Sequence, residues 1–378
     1  MKLEEKRILD LSYSFLGIFW YWLQKLLILL KVQIKHRNKP EHFTSKYDIS
    51  KGLKYKRSIT YFDVDLSSSG TTGSPTTVYA SPMHWISEQS AQMQFFKENG
   101  YNFRDKMILV RSYSPKENQP FFKFDRLRNF IYISPFHLSI DNKEKILSFF
   151  KGKYFLRGYP SSLEILSKLI TKSDNFDKPH AVFTASETLN SYQRKLIETK
   201  FDSKLYDWYG TSEPAVLLFQ TKNSFPFYKT PMNHCSYKII KDDKNNSILY
   251  GRSNWDTLSN LGYFKTDDVV VLDHLNNIIS IKGRKSDIIE YKNKFIPLTN
   301  FLTLFYSIKK IKKFQILNNI YGLEFIIILE DKCNNKLSIK INNEIKKRVL
   351  EIPFKINYNK KLIQSSNGKT PYFIKIKK

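Results

Sequence analysis

The chain has 378 residues, 41% of them hydrophobic and 15% aromatic, which is enough apolar material for two cores and excludes a disordered or fibrous protein. Its 62 basic residues outnumber 35 acidic ones, a net charge of +27, yet no Arg-rich recognition segment accompanies the excess, so a basic surface attractive to anionic nucleotides is expected and no nucleic-acid partner is. Cys235 and Cys333 lie far apart and the seven histidines show no ligand spacing, which argues against a disulfide framework or structural metal and for a cytoplasmic setting.

Residues 1–40 open with the stretch LSYSFLGIFWYWLQKLLILL at 11–30, nearly long enough to span a bilayer. Gln24 and Lys25 interrupt its centre, basic residues follow at Lys31, Lys35, Arg37 and Lys39, and no small-residue cleavage site appears. The expectation is an amphipathic helix that packs on the body or lies against the inner face of a membrane through residues 11–31.

The next landmark is LSSSGTTGSPTTVYAS, residues 66–81. A flexible linker of this composition would separate two folded units, but only 65 residues precede it. Glycines that let the backbone approach an anion, beside hydroxyls that donate to it, describe a phosphate cradle instead. It is not the common P-loop, because no Lys follows Gly73.

Beyond it, Ser81 to Asn99 reads as a helix and MILVRSY (107–113) as a strand. NFIYISPFHLS (129–139) is a strand with a turn, followed by a helix at 142–151. KYFLRGYPSSLEILSKLI (153–170) is strand, turn and helix, with Ser161 or Ser162 as the cap. AVFT and the amphipathic segment from Asn190 repeat the pattern, and SKLYDWYGTSE (203–213) is a strand entering a loop. Strands alternating with helices predict an α/β fold with a largely parallel sheet, whose ligands sit at the carboxyl ends of strands. After Arg284 the pattern changes to short elements, KKFQIL, LEFIIILE, KLSIKI and PYFIKIK. We therefore expect a large domain over 1–284, with mixed or parallel sheets flanked by helices, and a small mobile α+β domain over 285–378.

Five motifs carry a resemblance. The run Ser68-Ser69-Gly70-Thr71-Thr72-Gly73-Ser74-Pro75-Thr76 resembles the phosphate loop of the adenylate-forming enzymes, which include acyl- and aryl-CoA ligases. Tyr209-Gly210-Thr211-Ser212-Glu213 is similar to their Tyr-Gly-x-Ser/Thr-Glu motif. Tyr263-Phe264-Lys265-Thr266-Asp267-Asp268 resembles Tyr-x-Thr-Gly-Asp, with Asp267 in place of the usual Gly; Asp tolerates left-handed geometry better than most residues. Gly283-Arg284-Lys285-Ser286-Asp287 resembles the hinge between the two domains, with Asn293 where a glycine is usual. Asn367-Gly368-Lys369 matches the C-terminal lysine motif.

The resemblance implies roles. The loop, Thr71 included, would hold phosphates; Tyr209 and the neighbouring Gly210, Thr211 and Ser212 would meet the nucleotide; Asp268 would accept from both ribose hydroxyls; and Arg284 would contact the nucleotide. Glu213 would hold Mg²⁺, and Lys369 would bridge the attacking carboxylate and the α-phosphate. RGYPSSLEIL and FTASETLNSYQRKLIETKF resemble the phenylacetate–CoA ligase-like branch, especially proteins associated with capsular polysaccharide synthesis. There Ser186-Glu187 would lie at the purine and Tyr159-Pro160-Ser161 near the acyl pocket. The implied activity is ATP- and Mg²⁺-dependent formation of an acyl or aryl adenylate from a small carboxylic acid, then transfer to CoA or to an amine or sugar acceptor. The alternative is a non-catalytic relative that holds nucleotide or acts as a scaffold.

Overall fold

The computed structural model describes the chain apart from residues 1–2, 31–40, 51–59, 61, 68–76, 117–118, 244, 256–261, 285–287, 293, 299, 302–303, 306–307, 309, 331–333, 350, 359–360, 364–371 and 377–378. Its centre is a seven-stranded sheet. The strands run in the order Leu217–Phe219, Leu205–Gly210, Val182–Ala185, Phe155–Gly158, Met107–Val110, Phe130–Ile133, Phe122–Asp125. The five inner strands are parallel and the two edge strands antiparallel, so the parallel sheet expected from the sequence is present with capped edges. Being covered on both faces, the inner strands carry apolar side chains at successive positions, as in Met107-Ile108-Leu109-Val110.

Successive residues of these strands feed two cores. One face packs Met107, Leu109, Phe155 and Phe183 against Phe95 and Phe96 of the helix Pro82–Glu98. The other packs Ile108, Val110, Leu156 and Val182 under the helices Pro160–Leu169 and Ser191–Phe201. A second sheet orders Phe43–Thr44, Tyr263–Leu272, Ser247–Ser253 and Cys235–Lys241, with Ile278–Arg284 added alongside Tyr263–Leu272. The strands Val64–Ser67 and Thr77–Ala80 pair as an antiparallel hairpin, with Ser67 opposite Thr77. Past residue 284, a four-stranded sheet orders Phe354–Tyr358, Gly322–Leu329, Ile311–Asn319 and Phe373–Lys375. It has its own core of Phe301, Phe305, Phe325, Ile341 and Ile345.

Local sequence explains most boundaries. Ser81 caps the Pro82–Glu98 helix by accepting from His84 N–H, with Pro82 in the first turn. Asn190 and Gln193 form a reciprocal capping box. KLSIKI, left open among the short strands and helices, lies in the helix Asn335–Lys346, whose Ile341 and Ile345 at i, i+4 face the core. Two expectations are corrected. The helix placed at 142–151 spans Ile140–Ser148. Neither Ser161 nor Ser162 caps its helix; the N-cap is Tyr159, with Pro160 following.

The first helix, Leu3–Leu29, packs on the Pro82–Glu98 helix. Gly17 permits the approach: a Cβ there would stand 2.4 Å from Gln89 Cβ and 3.0 Å from Gln89 backbone. Tyr21 is buried beside it, and the Gln24 and Ser90 side chains hydrogen-bond at 3.0 Å. In a free helix Gly→Ala would stabilise by roughly 0.5–1 kcal/mol. At this docked site overpacking of ~1–3 kcal/mol outweighs that gain. Gly17→Ala should therefore lower the denaturant midpoint in urea unfolding; a raised midpoint would mean that the helix is not docked at Gly17.

Candidate functional site

The parallel strands bring their carboxyl ends together at one edge of the sheet. Leu109 lies opposite Arg157, Gly158 opposite Thr184, and Ala185 opposite Trp208. The segments that leave these strands carry Arg111 and Ser112, Tyr159 to Ser161, Ser186 and Glu187, and Thr211 to Glu213. Sequence reasoning placed every motif in such a loop. That holds for Ser186–Glu187 and Thr211–Glu213, but Asp268 lies within the strand Tyr263–Leu272 and Arg284 ends the strand Ile278–Arg284.

The two sheets meet at Tyr209. Its hydroxyl donates to Asp268 Oδ2 at 2.5 Å. Asp268 is itself buried, and its backbone N–H donates to Thr266 Oγ1 at 3.1 Å. Thr266 Oγ1 in turn donates to Leu249 O at 2.8 Å. Burial first, and then the Asp268 charge, push the Tyr209 hydroxyl well above its ordinary range, so it stays a donor. Asp268 and Arg284 face each other across adjacent strands. Tyr209, Asp268 and Arg284, singled out separately in the sequence, thus form one cluster.

Asp267 stands where a glycine was expected and adopts φ +62°, the left-handed conformation such a turn requires. Its side chain is exposed and pairs with Lys265 at 3.3 Å. Gly283 has φ +75°, and a Cβ there would lie 2.5 Å from Thr188 Oγ1. This close approach seats the Ser186–Thr188 segment against Arg284.

Glu213 follows Tyr209 through a tight turn, in which Thr211 Oγ1 donates to the Glu213 carbonyl at 2.9 Å and Thr211 N–H donates to Val216 O at 3.3 Å. Ser212 is exposed and Glu213 is 1% exposed. Its Oε1 has no hydrogen-bond partner. A buried carboxylate oxygen left unpaired is costly unless something else neutralises it. Oxygen donors of this kind suit Mg²⁺, which typically takes one or two carboxylates and completes its shell with water and phosphate. No cluster of three or more His, Cys, Asp or Glu occurs among the described residues, so a single protein carboxylate is the fit here.

Ser186 has φ +72°, and its Oγ accepts from Arg111 Nη2 at 3.2 Å. Glu187 turns back to the Pro160–Leu169 helix. Ser161 N–H donates to Oε2 and Ser161 Oγ to Oε1, both at 3.0 Å. The carboxylate thus does at the helix N-terminus what a local Ser was expected to do. Burial nevertheless raises its pKa, against the Ser161 bonds and the Arg348 and Arg111 charges. Ser68, Ser69, Gly70, Thr71, Thr72, Gly73, Ser286, Asn293, Cys333 and Lys369 lie outside the described residues.

Three residues escaped the sequence reading of the site. Asp207, two residues before Tyr209 in the same strand, is buried and accepts from Thr184 Oγ1 at 2.5 Å and Tyr228 hydroxyl at 2.6 Å. Arg111 and Arg157 sit on adjacent strands. A charged residue within an otherwise apolar strand, as in Phe155-Leu156-Arg157-Gly158, was the available signal.

No protein-family profile and no curated protein matches the chain. Solved structures do. The 2-hydroxyisobutyryl-CoA ligase, in its post-adenylation state with 2-HIB-AMP, aligns with TM-score 0.51 at 12% identity, over 89% of this chain and 80% of that one. The chain shares the fold of that ligase. The amide bond synthetase McbA from Marinactinospora thermotolerans aligns with TM-score 0.46 at 15% identity, over 83% and 69%. ATP-bound MatB from Rhodopseudomonas palustris aligns with TM-score 0.41 at 11% identity, over 81% of this chain. The chain spans 66% of the MatB length.

Burial holds the Asp207 proton in the folded protein up to about 6, against an ordinary carboxyl near 3.9. Between pH 4 and pH 6 the folded state therefore binds more protons than the unfolded one, and stability falls as pH rises through that window. The expected loss from this group is on the order of a few kcal/mol. Comparing urea unfolding at pH 4 and pH 6.5 for the wild type and Asp207→Asn checks it: the variant should lose part of the downward slope.

Proposed function

We propose that the protein activates a carboxylic acid with ATP, forming an acyl adenylate and releasing pyrophosphate. The observation that carries this reading is Glu213: a buried carboxylate oxygen without a partner, on the turn that follows the Tyr209–Asp268 contact. The shared fold and the order of the five motifs add support. In this reading a carboxylate oxygen of the acid attacks the α-phosphorus of ATP. The bond to the β-phosphate oxygen breaks, and the electron pair leaves with pyrophosphate. Asp268 and Arg284 orient the nucleoside, with Tyr209 fixing the Asp268 carboxylate and bordering the purine beside Ser186 and Glu187. Residues 68–76, Thr71 among them, donate to the phosphates. Glu213 would hold Mg²⁺, which would supply positive charge against the triphosphate. Lys369 stabilises the charge that builds between the two anions, which is the main electrostatic obstacle to the step.

The transfer step and its setting rest on the sequence resemblance. The region past residue 284 would turn about Ser286 to admit CoA or an amine or sugar acceptor. The phenylacetate–CoA ligase-like branch, and with it polysaccharide synthesis at the cytoplasmic side of a membrane, is our reading of RGYPSSLEIL and its neighbours. Asp267 does not weigh toward a non-catalytic relative, because it takes the left-handed conformation and turns its carboxylate to Lys265.

Peripheral membrane contact is favoured by the first helix. Phe15, Phe19, Trp22, Leu26 and Leu29, spaced 4-3-4-3, are all exposed, Phe19 at 65% and Leu29 at 78%. That stripe lies opposite the face bearing Gly17 and Gln24, and Lys31, Lys35, Arg37 and Lys39 follow in sequence. No helix among the described residues is long and apolar enough to cross a membrane.

Pyrophosphate release from ATP and Mg²⁺, screened over aryl, fatty and amino acids, tests the main reading. Release should depend on an acid and fall roughly 10²–10³-fold in Glu213→Gln and Lys369→Ala, the scale of losing one transition-state charge partner. Release that persists in both variants would sink it. For the membrane contact, co-sedimentation with vesicles containing phosphatidylglycerol should occur at low salt and be lost in Phe19→Glu/Trp22→Glu. Equal sedimentation with neutral vesicles, or with the double variant, would count against it.

A further inference from the structure

On the face of the central sheet that meets the Pro82–Glu98 helix, two arginines stand at the carboxyl ends of neighbouring parallel strands. Arg157 lies level with Leu109 in the adjacent strand, and Arg111 follows two residues later, on the same side. Among the described residues, neither pairs with a carboxylate, and Arg157 makes no hydrogen bond or ion pair; its Nε is buried without a partner, and its guanidinium lies over the Phe96 ring at 5.0 Å. Arg111 donates only to hydroxyls, Ser112 Oγ at 3.4 Å and Ser186 Oγ at 3.2 Å, and its Nη1 is buried without a partner. Its guanidinium lies over the Tyr159 ring at 5.0 Å.

The acids nearby among the described residues are committed elsewhere. Asp125 pairs with Arg128, and both Glu187 oxygens accept from Ser161. Burial, and then the neighbouring Arg111 charge, bring the Arg157 guanidinium down to about 9, far below an ordinary arginine. Two like charges placed together in half-buried positions are unfavourable unless an anion joins them. Flat guanidiniums backed by aromatic rings present forks suited to carboxylate or phosphate oxygens. Ser112 and Ser186, which flank Arg111, have φ +53° and +72°. Such backbone strain collects where a ligand is held.

We propose that Arg111 and Arg157 bind a second carboxylate of the acid substrate, so that the acid is a short dicarboxylate. This rests on the adenylation reading above. From the Tyr209 strand to the Arg157 strand is two strand spacings, roughly 10 Å. An acid whose reacting carboxylate meets the nucleotide beside Tyr209 would reach the arginines with its far end, across Ser186.

The test uses the full chain and two defined probes, succinate and monomethyl succinate, in titration calorimetry without nucleotide. Wild type should bind succinate with a Kd on the order of 1 mM and the monoester roughly 10- to 100-fold more weakly, the scale of losing one charge-assisted contact. Arg157→Met and Arg111→Met should each lose that preference, while Arg157→Lys keeps part of it. ATP affinity should stay within about twofold throughout. In anion-free buffer Arg157→Met should melt at or above the wild-type temperature, because it removes an unpaired charge while keeping the contact with Phe96. No succinate binding by wild type, or equal binding of both probes, overturns the proposal. So does a drop in ATP affinity of tenfold or more in the Met variants, since the arginines would then serve the nucleotide phosphates. A lower melting temperature for Arg157→Met also overturns it, assigning Arg157 to the fold. Arginine-dependent succinate binding without pyrophosphate release from any acid would leave the anion site standing and remove the adenylation reading.

Discussion

The hydrogen bond from Tyr209 to Asp268 is the joint on which the site depends. Tyr209 ends a strand of the parallel sheet, and Asp268 belongs to the second sheet. Their contact sets the two sheets in register at the edge where the parallel strands end. The turn carrying Glu213 starts from one side of that joint. Arg284, opposite Asp268, and the Gly283–Thr188 packing extend from the other. A buried phenol beside a carboxylate has only one low-energy arrangement, donor to acceptor. This fixes the Asp268 carboxylate in direction as well as position, as an acceptor for ligand hydroxyls requires.

Around that joint the chain satisfies some polar groups and leaves others uncompensated. Asp207, two residues before Tyr209, receives two hydroxyl donors, and Glu187 receives both donors of Ser161. Glu213 Oε1, Arg157 Nε and Arg111 Nη1 receive nothing. The contrast is not one of burial, since all five side chains lie in or against the same sheet. Among these five it is one of place: Asp207 and Glu187 brace a strand and a helix end, and Glu213, Arg157 and Arg111 lie where the parallel strands end, the edge at which open α/β sheets bind ligands. Their signs also separate, with the bare carboxylate oxygen at the Tyr209 strand and the bare guanidiniums two and three strands away.

What the sequence made legible follows from the range of each interaction. The alternation of strands and helices, with helical segments placed from Ser81 and from Asn190, is local, and it read correctly. Asp267 was readable because one residue's backbone preference decided the turn. The cap of the Pro160–Leu169 helix was not, because its acceptor, Glu187, comes from another loop 26 residues away. The helix at Asn335–Lys346 was obscured by alternating Ile and polar residues that also fit a strand; its Ile341 and Ile345 pair only at helical spacing. Arg111 and Arg157 each looked like an ordinary strand-end arginine. Only the parallel pairing of their strands brings them together, and pairing order is not written in either segment.

Glu187 links these themes to the C-terminal sheet. Its carboxylate caps the Pro160–Leu169 helix, yet it also lies within the field of Arg348, just past the Asn335–Lys346 helix, and of Arg111 at the anion site. Lys168, in the last turn of the helix that Glu187 caps, donates to the Lys347 carbonyl at 3.1 Å. The region past residue 284 therefore touches both ends of one helix of the large sheet, by charge at its amino end and by a hydrogen bond at its carboxyl end. The Ser186 hydroxyl that holds Arg111 is adjacent to Glu187 in sequence. Glu187 thus feels the Arg348 charge on one side and, beside its neighbour Ser186, the Arg111 charge on the other.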